Sequence, residues 1–313
     1  MTLSYATSVG APLVSIVTPS FDQGAFLEET IRSVLDQDYP NLEYVVVDGG
    51  STDGSVEIIR RYADRIAWWT SEADRGQADA LNKGFAHTSG EYVGWLCSDD
   101  TLLPGAISRL VAALERDPGL VIAYGDCVYS DAQSERKDRA LSGEWDPVRM
   151  VREAQVRNQQ PASLYTRRGW LAAGPLDEDA WYYLDFQFTV RLAGAGGGVH
   201  LPEPLATYRI HSHGKSTADP ARKADDAIRC AERFLTSELV PEALRPYARE
   251  GQASLYRIAG DGYYAALDLG RARTAYLRAA RLAPRSVPAT AAKSFLPRPL
   301  VRRLRARRVA DRD

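Results

Sequence analysis

Cysteine is scarce in this chain. The three residues among 313, Cys97, Cys127 and Cys230, stand far apart and show no Cys-x-x-Cys spacing. That pattern excludes a zinc finger or a dithiol redox motif, and the odd count argues against a disulfide scaffold. A reducing, cytoplasmic compartment fits it. Long apolar runs are missing too, and no stretch reaches the ~18 residues that a membrane-spanning helix needs. The first residues, MTLSYATSVGAP, lack the basic and apolar regions of a secretory signal. Nor is there an excess of one charge. Lys and Arg number 39 against 41 Asp and Glu, a formal net charge of -2 that argues against a whole-protein nucleic-acid binder.

What is present is an ordinary globular composition, 45% hydrophobic and 26% charged, long enough for one large α/β domain and a helical appendage. The first hundred residues alternate strand and helix patterns. Residues 13–19 (LVSIVTP), 42–48 (LEYVVVD), 66–70 and 92–96 are short apolar runs. Residues 25–37, 55–62 and 78–86 space their apolar positions as helices do. Repeated βα units of this kind predict a parallel sheet covered by helices on both faces. A helix over 105–115 and a strand over 120–129 follow. Residues 130–160 read as a polar, irregular, mobile loop, 182–194 as an amphipathic helix and 199–208 as a strand. Beyond Pro220 the pattern is all helix. Ala272, Tyr276, Ala279, Ala280 and Pro284 resemble the second helix of a tetratricopeptide repeat, and a single repeat has to bury its apolar face on a neighbour. Arg298, Arg302, Arg303, Arg305, Arg307 and Arg308, interleaved with leucine and valine, form either a peripheral membrane contact or a solvated terminus.

In such sheets ligands bind beyond the carboxyl ends of the strands. Three strand ends carry polar groups: Thr18-Pro19-Ser20-Phe21, Asp48 and Ser98-Asp99-Asp100. A carboxylate at a strand end can hold Mg²⁺ or Mn²⁺ against a diphosphate, although one of Asp99 and Asp100 could equally cap the helix that starts near Pro104. Asp48 has no obvious partner in its own turn and could accept a base N–H, whereas Thr52 and Asp53 read as caps of the next helix. Phe21 is either a stacking platform or ordinary core.

The blocks VSIVTPSFDQGAFLEETIRSVLDQDYPNLEYVVVDGGSTDGS, SEADRGQADALNKGFAHTSGEYVGWLCSDD, QQPASLYTRR and YRIHSHGKS, spanning roughly residues 12–216, resemble the inverting glycosyltransferases of family 2, which have a GT-A fold. The resemblance implies an α/β, Rossmann-like, mostly parallel sheet with helices on both faces and a C-terminal helical extension. It divides the chain into an N-terminal extension (1–11), a transferase domain (12–219, its nucleotide half 12–103 and acceptor half 104–219), a helical extension (220–292) and a basic tail (293–313). It also implies a nucleotide-sugar donor, most simply a UDP-sugar, and a Mn²⁺ or Mg²⁺ cofactor. The acceptor would be a glycan, a lipid-linked sugar or a small molecule.

By the same resemblance Thr18, Pro19 and Phe21 line the nucleoside pocket and Asp48 binds the base edge. Gly76, Asp79, Asn82 and Ser98 lie near the donor. Asp99 contacts ribose or phosphate, while Asp100, with His211, holds the metal. Asp185 is the base that deprotonates the acceptor hydroxyl, with Arg191 further along its helix. Asp177, Glu178 and Asp179 are alternative bases in a turn that reads as a helix cap. Lys215 would pair with phosphate. Cys97, Leu81 and Leu184 depart from the family pattern, which leaves open a non-catalytic, nucleotide-sugar-binding scaffold. A sugar nucleotidyltransferase would carry a Gly-rich loop with Arg or Lys after the first strand, where this chain has TPSFDQG.

Overall fold

The computed structural model describes residues 10–212, 214–217 and 219–284. Its elements are β1 (Val14–Ser20), α1 (Gly24–Leu35), β2 (Leu42–Asp48), α2 (Ser55–Arg61), β3 (Trp68–Ser71), α3 (Gln77–Ala86) and β4 (Tyr92–Trp95). Next come β5 (Thr101–Leu102), α4 (Ala106–Leu114), β6 (Leu120–Ser130), β7 (Arg136–Ala140), α5 (Pro147–Glu153), β8 (Ser163–Thr166) and α6 (Arg167–Ala173). The chain continues through α7 (Leu184–Leu192), β9 (Gly197–Arg209), α8 (Pro220–Arg229), α9 (Ala248–Ala265) and α10 (Leu269–Leu282). These elements form two compact units. Among the described residues, the first comprises residues 10–145, Asn158–Glu178 and Ala195–Arg209, and the second Asp146–Arg157, Asp179–Gly194 and the described residues from Ile210 to 284.

The first unit holds one sheet in the order β3-β2-β1-β4-β8-β6-β9-β5, with β7 paired to β6. From β3 to β4 every pairing is parallel, as the βα alternation predicts. Past β4 the sheet is mixed: β8 runs antiparallel to β4 and β6, β5 antiparallel to β9, and β6 parallel to β9. Alternation along the strands divides the core between two faces. Val14, Ile16, Tyr44 and Val46 share one cluster with Leu27, Ile31 and Val34 of α1, Ile59 of α2 and Ile107 and Leu110 of α4. Val17 and Val47 point the other way, toward α3. On that second face Phe85 packs 3.7 Å from Trp170 of α6, and Trp95 stacks on Tyr165 at 5.3 Å.

Residues 130–160 are more ordered than their polarity predicts, for they contain β7 and α5. β7 is polar because it is a flap paired only to β6, and four of its five residues are exposed. α5 starts as helices commonly do, with Asp146 accepting from Arg149 N–H and proline in the first turn.

The second unit is helical. α9 packs against α10, α8 and α5, which buries the apolar face that a lone hairpin would leave open. Tyr276 seats its ring on Gly260 and its hydroxyl on Asp261 at 2.7 Å. Among the described residues no helix is long and apolar enough to cross a membrane. The arginine cluster from Arg298 to Arg308 lies outside the described residues.

Gly84 lets α3 lie close on the sheet. A Cβ there would press into a Val17 methyl and approach a Val47 methyl to 3.0 Å, and both valines are fully buried. Gly84→Ala should therefore destabilise the protein. Alanine's helix preference, about 1 kcal/mol over glycine, is outweighed by overpacking of about 1–3 kcal/mol. Urea denaturation checks the sign: a variant more stable than the parent would mean that α3 shifts freely.

Candidate active site

The carboxyl ends of β1, β2 and β3 are in register, Ser20 beside Asp48 and Asp48 beside Ser71. Asp48 is completely buried and, contrary to the sequence expectation, well partnered. One oxygen accepts from Gly50 N–H (3.1 Å), Ser51 N–H (2.9 Å) and Ser71 Oγ–H (2.7 Å), and the other from Ser51 Oγ–H at 2.5 Å. A strand-end carboxylate followed by two glycines folds its own turn back onto itself. The loop after β1 is laced to this turn. Asp22 N–H donates to Ser51 Oγ (2.8 Å), Thr52 N–H to Asp22 (2.9 Å) and Gly24 N–H to Asp53 (2.7 Å). Asp53 also accepts from Ser55 N–H and Oγ–H at the start of α2, but the N-cap position of that helix is Gly54, so neither Thr52 nor Asp53 takes the capping position that the sequence suggests.

Phe21 stands on this scaffold with 60% of its surface exposed, which excludes an ordinary core role and leaves a free ring face. Thr18 is fully buried, and its Oγ accepts from the Tyr44 hydroxyl at 2.9 Å, so it shapes the loop from below. Pro19 is buried in β1. Asp74 was not singled out by sequence reasoning. A Cβ at Gly49 would lie 2.8 Å from its carboxylate and 3.2 Å from the Phe21 ring. Burial, helped by the charges of Asp79 and Asp48, pushes the Asp74 carboxyl up. The signal available was an acid just past the end of β3.

Gly76 takes φ +117°, ψ -176°, a conformation that side-chain-bearing residues rarely adopt. Asp79 in the first turn of α3 holds Arg75 through its N–H (3.0 Å) and guanidinium (3.1 Å), and Arg75 also reaches Glu178 at 2.6 Å. Asn82 exchanges two hydrogen bonds of 2.9 Å with the main chain of Leu176. Its amide therefore pins the 174–178 turn.

The acid pair sits after β4, where Leu96 N–H still donates to Val17. Neither Asp99 nor Asp100 caps α4, which starts from Gly105 with no side-chain cap. Thr30 of α1 donates to the carbonyls of Ser98 (3.0 Å) and Asp100 (2.8 Å). Arg209 closes the other side. Its N–H donates to the Asp100 carboxylate at 2.8 Å and its Nε to the Asp99 carbonyl at 2.7 Å. The same guanidinium reaches Glu29 (2.7 Å), Ser134 Oγ (2.8 Å) and the Asp131 carbonyl (3.0 Å), with its carbon 4.8 Å from the Phe26 ring centre. Arg209 is 2% exposed and Asp100 3%. Burial, and then the neighbouring Asp99 charge, push the Asp100 carboxyl well above the ordinary carboxylate range. Cys97 joins this pair, because ligand atoms of Cys97, Asp99 and Asp100 all lie within 4.8 Å of one another. Two carboxylates and a thiol, one acid buried against its own charge, make a donor set that fits a divalent cation.

Asp185 belongs to the second unit, in the first turn of α7, and its Oδ1 accepts from Phe186 N–H at 2.7 Å. Burial raises its carboxyl above the ordinary range, against the Phe186 bond and the nearby Lys215 charge. α7 starts from Tyr183 with no side-chain cap, so the cap expected from Asp177, Glu178 and Asp179 is not made; Asp226 instead takes the N–H groups of residues 181–183, just ahead of the helix. Glu178 pairs with Arg75 and Asp179 with Arg233. His211 is buried, and its carbonyl accepts from Gly214 N–H and Thr217. Lys215 donates to the Trp181 carbonyl at 2.9 Å.

The profile of the family described as Glycosyl transferase family 2 matches residues 15–171. Among curated proteins, the O-antigen biosynthesis protein RfbC of Myxococcus xanthus is 32% identical over 252 residues, 78% of this chain and 18% of that protein. The putative teichuronic acid biosynthesis glycosyltransferase TuaG of Bacillus subtilis is 42% identical over 92 residues, 28% of this chain and 36% of that protein. The chain thus spans well under half the length of either relative. Among solved structures, S. aureus TarS 1–349 in complex with UDP-GlcNAc superposes with a TM-score of 0.64 at 16% identity, over 94% of this chain and 87% of that one. The mannosyltransferase PcManGT from Pyrobaculum calidifontis, in complex with GDP-Man and Mn²⁺, gives 0.60 at 21%, over 91% and 79%. At those identities the likeness establishes the fold, a GT-A fold with a helical C-terminal part.

Arg209→Met should cost about 3–5 kcal/mol, since it strips a buried guanidinium from several acceptors at once. Arg209→Lys should recover only part, because an ammonium cannot reproduce the planar fork. A loss below about 1 kcal/mol for the methionine variant in chemical denaturation would remove Arg209 from the centre of this site.

Proposed function

This chain belongs to glycosyl transferase family 2, and on that premise we propose that it carries out a metal-dependent, inverting sugar transfer from a nucleotide-diphosphate sugar, a UDP-sugar first, to an acceptor hydroxyl. The observation that carries the reading is the meeting, at neighbouring strand ends, of an exposed aromatic ring on a laced turn with the group formed by the half-buried Cys97 and Asp99 and the buried Asp100. The ring and the Asp48 turn would take the nucleoside. Asp100, with Asp99 and Cys97 beside it, would hold Mn²⁺ or Mg²⁺. When bound, such an ion neutralises the diphosphate as it leaves. His211 remains a proposed additional ligand on the resemblance alone.

The acceptor oxygen attacks the anomeric carbon as the bond from that carbon to the diphosphate oxygen breaks, and Asp185 takes the hydroxyl proton. A base needs an affinity for protons close to its working pH, and the burial that raises Asp185 moves it in that direction. Relatives named for O-antigen and teichuronic acid biosynthesis support a surface glycan, or a lipid-linked precursor of one, as acceptor.

Thermal shift with UDP, GDP, dTDP and CDP, each with and without Mn²⁺, tests the donor half. About 100-fold excess over Kd should stabilise the protein by about 2.7 kcal/mol with one nucleotide, and Asp100→Ala should lose the metal-dependent part. No shift with any nucleotide would overturn the reading. Asp185→Asn should lower turnover by about 10²–10⁴-fold while leaving donor affinity in place. The acid limb of the kcat profile should fall above the ordinary Asp value of about 3.9, since turnover is lost as pH drops through the raised Asp185 pKa. A limb at or below that value would exclude Asp185 as the titrating base.

A further inference from the structure

The helix that carries Asp185 does not cap itself. α7 follows Tyr183, which supplies no side-chain acceptor, yet the backbone N–H groups of the turn before it all point at one carboxylate. That carboxylate is Asp226 of α8, 2% exposed. One oxygen accepts from Trp181 N–H at 3.3 Å, the other from Tyr182 N–H at 2.6 Å and Tyr183 N–H at 2.9 Å. Two cations of α8, and Lys215 ahead of it, grip two of the same residues, Trp181 and Tyr182. Arg222 lies 4.0 Å from the centre of the Trp181 ring, Lys223 lies 4.8 Å from that of Tyr182, and Lys215 holds the Trp181 carbonyl at 2.9 Å. All of these belong to one compact unit. None of the clamping residues falls within the 15–171 stretch that matches the family.

We propose that Asp226 is a positioning residue for the transfer reaction: by binding three consecutive main-chain N–H groups it fixes the start of α7 and so aims the Asp185 carboxylate. The proposal rests on the reading of Asp185 as the base. Its physical basis is the high yield of a buried carboxylate that accepts several N–H groups. Such a clamp has one geometry, and a misplacement of about 1 Å at a reacting group costs about 10²-fold in rate. The charged and titratable groups facing Asp185 are Lys215, Asp226, Tyr182 and Tyr183. Removing the Asp226 charge takes away one of the groups that favour protonated Asp185, so the acid limb of the rate should move to lower pH.

The test compares Asp226→Asn and Asp226→Ala with Asp185→Asn in the full chain, reading kcat against pH, donor affinity by calorimetry and near-ultraviolet circular dichroism. Asp226→Asn keeps one acceptor oxygen and the side-chain shape, so it should fold and fall between wild type and alanine. The expected result is a kcat loss of about 10–100-fold in Asp226→Ala, donor affinity unchanged, and an acid limb displaced downward in both variants. The proposal is overturned if both folded variants keep the wild-type kcat. It is equally overturned if the rate falls only in proportion to folded protein, with the limb unmoved. Near-normal turnover in Asp185→Asn would instead remove the base assignment beneath it.

Discussion

A buried guanidinium holds the first unit together at its working end. Arg209 is the last residue of the longest strand, and its guanidinium and its backbone N–H donate to acceptors from three separate segments: α1, the Asp99-Asp100 turn and the β6–β7 connection. An isolated buried charge of this kind would be costly, and only a complete set of partners makes it tolerable. The cost of leaving any of them out is what gives the acid pair one geometry. Asp100 is thereby kept in a place where its own charge is disfavoured, a condition that a divalent cation, bound as proposed, would relieve.

The side of the site proposed to take the nucleoside follows a different logic. Asp48 is an anchor inside its turn, with hydroxyl donors on both oxygens and two amide donors on one, and its rigidity is passed to the loop after β1 through Asp22, Ser51 and Asp53. The exposed Phe21 ring can remain in water because the backbone beneath it is fixed from two sides. Asp74, facing the same glycine, places a second carboxylate beside the ring.

The parallel half of the sheet was readable because each βα unit writes its period into a few adjacent residues, and strand ends then name the ligand side. β1, β2, α2 and β4 fall within a residue or two of where the apolar runs put them. The polar β7 was not readable, since a strand exposed along nearly its whole length shows no alternation. The motif residues were legible as types but not as roles. Asn82 and Asp79 spend their side chains on neighbouring chain segments, and Thr18 on Tyr44. Arg209 and Asp226 carried no sequence signal at all, because their significance lies in partners that the chain brings back from far away.

That distance has a consequence for synthesis. Arg209 meets Asp99 across 110 residues of chain. Ribosomal synthesis proceeds from the N-terminus, so the parallel half, with its short-range crossovers, can assemble first. The two acids then wait, adjacent and uncompensated, until β9 emerges and docks. The site is finished late, and a nascent chain halted before residue 209 carries the motif without the means to hold it.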